Sequence, residues 1–236
     1  MKKAGKDKIG TYPEKLVTAR NPKSAVAEAY RAIRTNIEFS LFDKEVKTIL
    51  FTSATQGEGK SVVSANIAVT MALGGKKTLI IDADLRNPTQ HKIFNIGNNL
   101  GLTNMLINEN LHPDEVIIAA STDNLFILPS GPLPPNPAEL LNSQKMRGFI
   151  ASLTNYSDII LVDAPPINVV TDAAILASYL DGTVLIAASG QVVKEQAAAA
   201  REQLNKVKAN ILGVVLNKTP ANGSYSYNYY YGGDNS

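Results

Sequence analysis

Lys47-Thr48-Ile49-Leu50-Phe51-Thr52-Ser53-Ala54-Thr55-Gln56-Gly57-Glu58-Gly59-Lys60-Ser61 is the stretch whose reading decides the fold. A short β-prone run at 48–52 feeds a loop that ends in Gly59-Lys60-Ser61, and residues 62–73 continue with helical character. Strand, loop and helix in that order are what a phosphate-binding P-loop needs. Backbone N–H groups of such a loop converge on the phosphates, and the positive end of the helix dipole faces them. Gly57, Glu58, Gly59, Lys60, Ser61 and Val62 are therefore the expected nucleotide-contacting set. Lys60 reaches the β- and γ-phosphates, and the Ser61 hydroxyl ligates Mg2+. The first glycine of G-x-x-x-x-G-K-[ST] is replaced by Ala54, which the loop tolerates if that residue keeps a negative φ.

Moving outward, Thr78-Leu79-Ile80-Ile81 is a continuous apolar run that suits a parallel strand covered on both faces. It delivers Asp82-Ala83-Asp84-Leu85-Arg86 at its carboxyl end, where open α/β sheets hold ligands. Asp82 and Asp84 either serve the phosphate site or cap the helix that follows, a role Asp commonly fills. Residues 158–162 form the next buried run and end in Asp163-Ala164-Pro165-Pro166. Four apolar residues and then Asp is the pattern of a second metal-side carboxylate, acting through the water shell that Mg2+ retains. Further strands are expected at 125–128, 183–187 and 211–216. Helices are expected at 137–154, opened by Asn136 and Pro137, and at 192–207, with a short helical excursion between 97 and 122. The alternation predicts an α/β fold of P-loop NTPase type, a mostly parallel central sheet with helices on both faces. The last strand ends in Asn217, whose amide either bonds the edge of a nucleotide base or makes a turn.

Residues 1–22 lack periodicity and read as a mobile basic arm, and 23–218 as the domain. Within it, 24–42 is helical, with Val26, Tyr30, Ile33, Ile37 and Leu41 on one stripe. Glu28, Arg31 and Arg34 step along the other side, either as a solvated face or as a row whose guanidinium forks grip carboxylates of a neighbouring copy. Residues 219–236 contain no aliphatic core former beyond one alanine and read as a flexible tail. Tyr225, Tyr227, Tyr229, Tyr230 and Tyr231 crowd that tail, either as an association-prone aromatic cluster or as a substrate segment.

With 236 residues, one large domain can bury a substantial core. A net charge of +2 gives no reason to expect nucleic acid as a partner. The chain has no Cys, and its two His, His91 and His112, have no ligand-spaced partners. No apolar run reaches the ~20 residues of a membrane span, and no apolar segment follows the basic start, so the chain is expected to be cytoplasmic.

Together, Ala54–Ser61, Leu79-Ile80-Ile81-Asp82-Ala83-Asp84-Leu85-Arg86-Asn87-Pro88, Ile159-Ile160-Leu161-Val162-Asp163-Ala164-Pro165-Pro166 and the terminal tyrosine cluster resemble the bacterial tyrosine kinases, or BY-kinases. The chain looks most like the free-standing kinases of Gram-positive capsule and exopolysaccharide clusters. The family's modified Walker A, Walker A′ and Walker B motifs fall on 54–61, 80–84 and 159–163. Its E-x-x-R-x-x-R oligomerisation row falls on Glu28, Arg31 and Arg34, which shifts the reading of that helix toward a docking face. The resemblance implies ATP and Mg2+ as cofactors and autophosphorylation of the five tail tyrosines in trans within a ring, by resemblance an octamer. It implies Lys60, Asp82, Asp84 and Asp163 as catalytic residues. Asp82 would accept the phenol proton, Ser61, Asp84 and Asp163 would serve the metal, and Arg86 and Asn217 would stand at the nucleotide. Implied partners are the cytoplasmic tail of a transmembrane polysaccharide co-polymerase, which recruits the kinase to the inner face of the membrane and activates it, and a cognate tyrosine phosphatase. The competing class is a membrane-recruited ATPase switch of the partition or division-site type. Those relatives carry an extra Lys where this chain has Thr55.

Overall fold

The structure, a computed structural model, describes residues 13–40 and 46–220. In chain order the elements are α1 (Val17–Arg20), α2 (Ala25–Ser40), β1 (Thr48–Ser53), α3 (Lys60–Leu73), β2 (Thr78–Asp82), α4 (Gln90–Ile93), α5 (Leu102–Ile107), α6 (Pro113–Val116), β3 (Ile118–Ala119), β4 (Leu125–Leu128), α7 (Pro137–Asn142), α8 (Gln144–Leu153), β5 (Ile159–Asp163), α9 (Asp172–Ala177), β6 (Gly182–Ala188), α10 (Lys194–Lys206) and β7 (Ile211–Asn217). The strands make one sheet in the order β3-β4-β2-β5-β1-β6-β7. Every pairing is parallel except β3 with β4, as the α/β reading requires.

The apolar runs fix this arrangement because successive side chains point to opposite faces. Ile49, Phe51, Ile80, Leu161, Val184 and Ile186 enter a core with α2 and α3. Leu50, Leu79, Ile81, Ile160, Val162 and Leu185 enter a second core, under α8, α9 and α10 on the other face. Burying a side chain of this size contributes about 1.5–3 kcal/mol, so the four central strands have little freedom to slip. Their register sets Asp82 beside Asp163, and Phe51 beside Asp163, at the carboxyl edge of the sheet.

Several boundaries differ from expectation, each for a local reason. The segment 13–22 is docked, not loose. Leu16 and Thr18 are buried, and Thr18 donates its N–H (3.1 Å) and hydroxyl (2.9 Å) to Asn66 Oδ1 on α3. In return Asn66 donates Nδ2 to the Lys15 carbonyl at 2.8 Å. Ser24 lies outside α2 and caps it, accepting the Ala27 N–H at 3.1 Å. Of the expected stripe, Tyr30 and Ile37 are buried and Val26 is exposed, its place taken by Ala27. Leu41 lies outside the described residues. Within the helical excursion expected between 97 and 122, the helix that opens at Pro113 stops at Val116, and Ile118–Ala119 forms an antiparallel edge strand with β4. The helix expected over 137–154 breaks at Ser143, which caps α8 by accepting the Met146 N–H. Among the described residues, no helix is long and apolar enough to cross a membrane.

Candidate active site

The loop between β1 and α3 is built by two glycines and one inward-turned acid. Gly57 and Gly59 have φ of +84° and +90°, a region open to Gly and costly for residues with a Cβ. Ala54 is buried with negative φ, which explains how Ala replaces the usual first glycine. The Glu58 side chain, expected near nucleotide, points into the protein and is 1% exposed. Its carboxylate accepts the Thr55 N–H and hydroxyl, and at 3.0 Å the N–H of Ala188 at the end of β6. Thr55 therefore works as a lock on Glu58. Only the Glu58 backbone is free to face a phosphate.

At the head of α3 three strand ends bring charges together. Lys60 Nζ lies 2.9 Å from Asp84 Oδ2, 3.4 Å from Asp163 Oδ1 and 3.1 Å from Ser61 Oγ. Asp163 is fully buried, and its other oxygen accepts Gln90 Nε2 at 2.8 Å. Asp82 is also fully buried. Its Oδ2 accepts the N–H groups of Thr89 and Gln90 at 2.9 Å each, and its Oδ1 accepts the Asp84 N–H at 3.3 Å. Burial, reinforced by the Asp163 charge, pushes the Asp82 carboxyl up to about 8. Asp163 is raised by burial as well, against the opposing pull of Lys60 and hydrogen bonds from Ser61 and Gln90. Burial alone would lower Lys60, but Asp163 and Asp84 outweigh it and hold the ammonium above its usual range.

An open cleft of about 390 Å3 lies over this cluster. Gln56, Gly57, Gly59, Lys60, Ser61, Val62, Asp84 and Arg86 line it, facing Pro165, Pro166, Val169 and Val170. Asp82 and Asn217 do not line it. Asp82, expected as proton acceptor, lies behind the cleft lining and accepts the N–H groups of Thr89 and Gln90 at the start of α4. Asn217, expected at the base, spends its amide N–H on the Glu58 carbonyl at 2.8 Å. Arg86 is anchored by Asp172, with Nε and Nη2 on the two carboxylate oxygens at 2.9 and 3.0 Å. Asp172, Gln90 and Lys15, which also lines the cleft, carry no motif that marks them in the sequence.

The site's chemistry fits a divalent cation. Asp84 and Asp163 meet on one lysine, one acid more than a single ammonium balances, and Ser61 offers a hydroxyl beside them. Among the described residues no three acids form a closed metal cage. That suits Mg2+, which keeps several waters and uses few protein ligands together with phosphate oxygens.

The expected oligomerisation row divides. Arg31 pairs with Glu28 on the exposed side of α2 and donates Nη1 to the Pro22 carbonyl at 2.8 Å. Arg34 turns the other way and donates Nη1 at 2.9 Å to the Thr70 carbonyl in the last turn of α3. The five tail tyrosines lie outside the described residues.

Comparison with known proteins agrees with this geometry. A family model described as ParA, NUBPL iron-transfer P-loop NTPase, matches residues 45–225. The chain has no cysteine for iron–sulfur ligation, so the likeness lies in the nucleotide fold. The putative tyrosine-protein kinase CapB of Staphylococcus aureus is 46% identical over 213 residues, covering 90% of this chain and 93% of that one. Tyrosine-protein kinase YwqD of Bacillus subtilis is 44% identical over 220 residues, covering 93% and 92%. The crystal structure of the chimerical protein CapA2B2 superposes with a TM-score of 0.84 at 39% identity, over 87% of this chain and 90% of that one. A P-loop with its lysine held between two strand-end aspartates, on a sheet shared with these relatives, places the chain in the bacterial tyrosine kinase family, in the branch of the Gram-positive capsule clusters.

Proposed function

We propose that this kinase transfers the γ-phosphoryl group of ATP to its own C-terminal tyrosines, Tyr225, Tyr227, Tyr229, Tyr230 and Tyr231, on a neighbouring copy in a ring. The observation that carries the proposal is the meeting of Lys60 with Asp84 and Asp163 at the head of α3. The loop N–H groups bind the phosphates, and Lys60 stabilises charge on the transferring group, the dominant contribution in such reactions. Asp84, Asp163 and Ser61 would hold Mg2+ and its waters, and the ion would supply neutralisation of phosphate charge there. Arg86, braced by Asp172, keeps a cation at the cleft wall.

The phenol has a pKa near ~10 and attacks poorly without a base. Its oxygen bonds to the γ-phosphorus, the bond to ADP breaks, and its proton passes to a carboxylate. Asp84 lines the cleft but is paired with Lys60 and serves the metal, which leaves Asp82 as the acceptor. For Asp82 to serve, its oxygens must leave the N–H groups of Thr89 and Gln90. The finer reading extends to regulation of capsular or exopolysaccharide synthesis. It includes an activating cytoplasmic tail of a transmembrane co-polymerase, recruitment to the inner face of the membrane, and a cognate phosphatase.

Incubation with Mg2+-ATP and mapping of phosphate on residues 219–236 tests the proposal. The native chain is expected to carry phosphotyrosine there and Lys60→Met none. A Lys60→Met chain mixed with an active chain that lacks the five tyrosines is expected to be phosphorylated in trans. ATP hydrolysis without phosphotyrosine would favour the partition-type ATPase switch. Asp82→Asn and Asp84→Asn, compared in the same assay, separate the proton acceptor from the metal-side acid: raised Mg2+ is expected to restore part of the transfer to Asp84→Asn and none to Asp82→Asn.

A further inference from the structure

Every carbonyl from Thr55 to Gly59 has a donor. Ser53 Oγ donates to Thr55 O at 2.7 Å, and the Val63 N–H donates to Gly59 O at 2.9 Å, both from the loop's own flanks. The three carbonyls between them are held by side chains from far along the chain. Gln191 Nε2 donates to Gln56 O at 3.3 Å, Lys218 Nζ to Gly57 O at 2.7 Å, and Asn217 Nδ2 to Glu58 O at 2.8 Å. Lys218 Nζ also donates to Gln191 Oε1 at 2.9 Å, closing the set.

In a trans peptide the C=O of one residue and the N–H of the next point in opposite directions. Pinning the oxygens of Gln56, Gly57 and Glu58 on one side therefore aims the N–H groups of Gly57, Glu58 and Gly59 to the other. Among the described residues, none of these three N–H groups has a protein acceptor. Consecutive N–H groups held this way form a concave anion site. The two glycines fit the same account. A Cβ on Gly57 would meet Gln191 Nε2 at 3.3 Å, and one on Gly59 would meet Asn217 Nδ2 at 2.3 Å. Lys218 itself has φ of +56°, uncommon for a residue with a side chain, and it is this turn from which the side chain reaches the loop.

We propose that Gln191, Asn217 and Lys218 are positioning residues that preorganise the phosphate nest from behind. None of the three lines the cleft, and they act through the peptide planes of 56–58. Because Lys218 immediately precedes Thr219, the clamp also fastens the root of the C-terminal segment to the nucleotide site. The inference rests on the P-loop being the nucleotide site.

The test is ADP affinity, measured by equilibrium binding of a fluorescent ADP without Mg2+, beside the melting temperature of the nucleotide-free chain. Lys218→Met and Asn217→Ala are expected to weaken ADP about three- to tenfold, with the nucleotide-free melting temperature near native. Lys218→Arg, which keeps a cationic donor, is expected to restore most of the affinity. ADP affinity unchanged in both variants overturns the clamp alone. So does a loss of affinity that follows a lowered melting temperature and is not restored by Arg. A native chain that does not bind ADP overturns the nucleotide reading, and the clamp with it.

Discussion

Gly59 shows how much one position carries. A side chain there meets two separate penalties, the left-handed backbone and the Asn217 amide 2.3 Å away. Gly75 has nearly the same φ, +92°, but open space around its Cβ position. Gly75→Ala should therefore cost only the backbone term, about 1–2 kcal/mol. Gly59→Ala should cost more and should also push Asn217 off the Glu58 carbonyl, abolishing detectable ADP binding. Urea denaturation of both variants, with ADP titration, checks this; equal losses of stability and retained ADP binding would contradict it. The residues legible in the sequence are those whose chemistry is local: Gly59-Lys60-Ser61 follow one another, and Asp163 closes an apolar run. Gln90, Asp172, Gln191 and Lys218 were not legible, because each acts on a partner 27 to 161 residues away. Only the strand order brings those ends together. Asn217 stands out at the end of the last strand, but the spacing holds no sign that its amide faces the loop's back and not the cleft.

Helix α2 presents two arginines with different tasks, although they are one turn apart. Arg31 and Glu28 form an exposed pair, and such pairs contribute roughly 0–1 kcal/mol. Arg34 is largely covered and places its cation on the last turn of α3, where the helix dipole favours positive charge. Arg31→Ala should leave the denaturation midpoint nearly unchanged and act on self-association. Arg34→Ala should lower monomer stability by about 1–2 kcal/mol, discounted for its partial exposure. Chemical denaturation at low protein concentration, followed by sizing with ATP, separates the two effects. Equal destabilisation would show that the row is not divided as described. At this scale the sequence was most informative where burial is two-sided: β1, β2, β5 and β6 are continuous apolar runs and were all anticipated. It was least informative for short elements whose existence depends on a partner. α1 needs Asn66, β3 needs the edge of β4, and α9 follows a Pro-rich turn that carries little periodicity.

For the whole molecule, the proposed ring and the tail are linked by geometry and charge. The chain leaves β7 at Lys218, behind the P-loop, and Tyr225 follows seven residues later. An extended segment of that length spans at most roughly 23–25 Å, which bounds how far from Lys218 a neighbour's cleft can lie if the proposed transfer in trans is to reach the first tyrosine. Each phosphate then adds about −1.5 to −2 charge. Five of them between residues 225 and 231 would repel one another and the acids around Lys60, so a phosphorylated tail should not stay in a neighbour's site. Assembly is thus expected to be limited by its own product. Replacing Tyr225, Tyr227, Tyr229, Tyr230 and Tyr231 by Phe keeps the rings and removes the phosphate acceptors. Light scattering after size exclusion should find this variant still assembled after incubation with Mg2+-ATP, while the native chain falls to smaller species. Dissociation of the five-Phe chain at the native rate would mean that nucleotide turnover, and not charge on the tail, opens the ring.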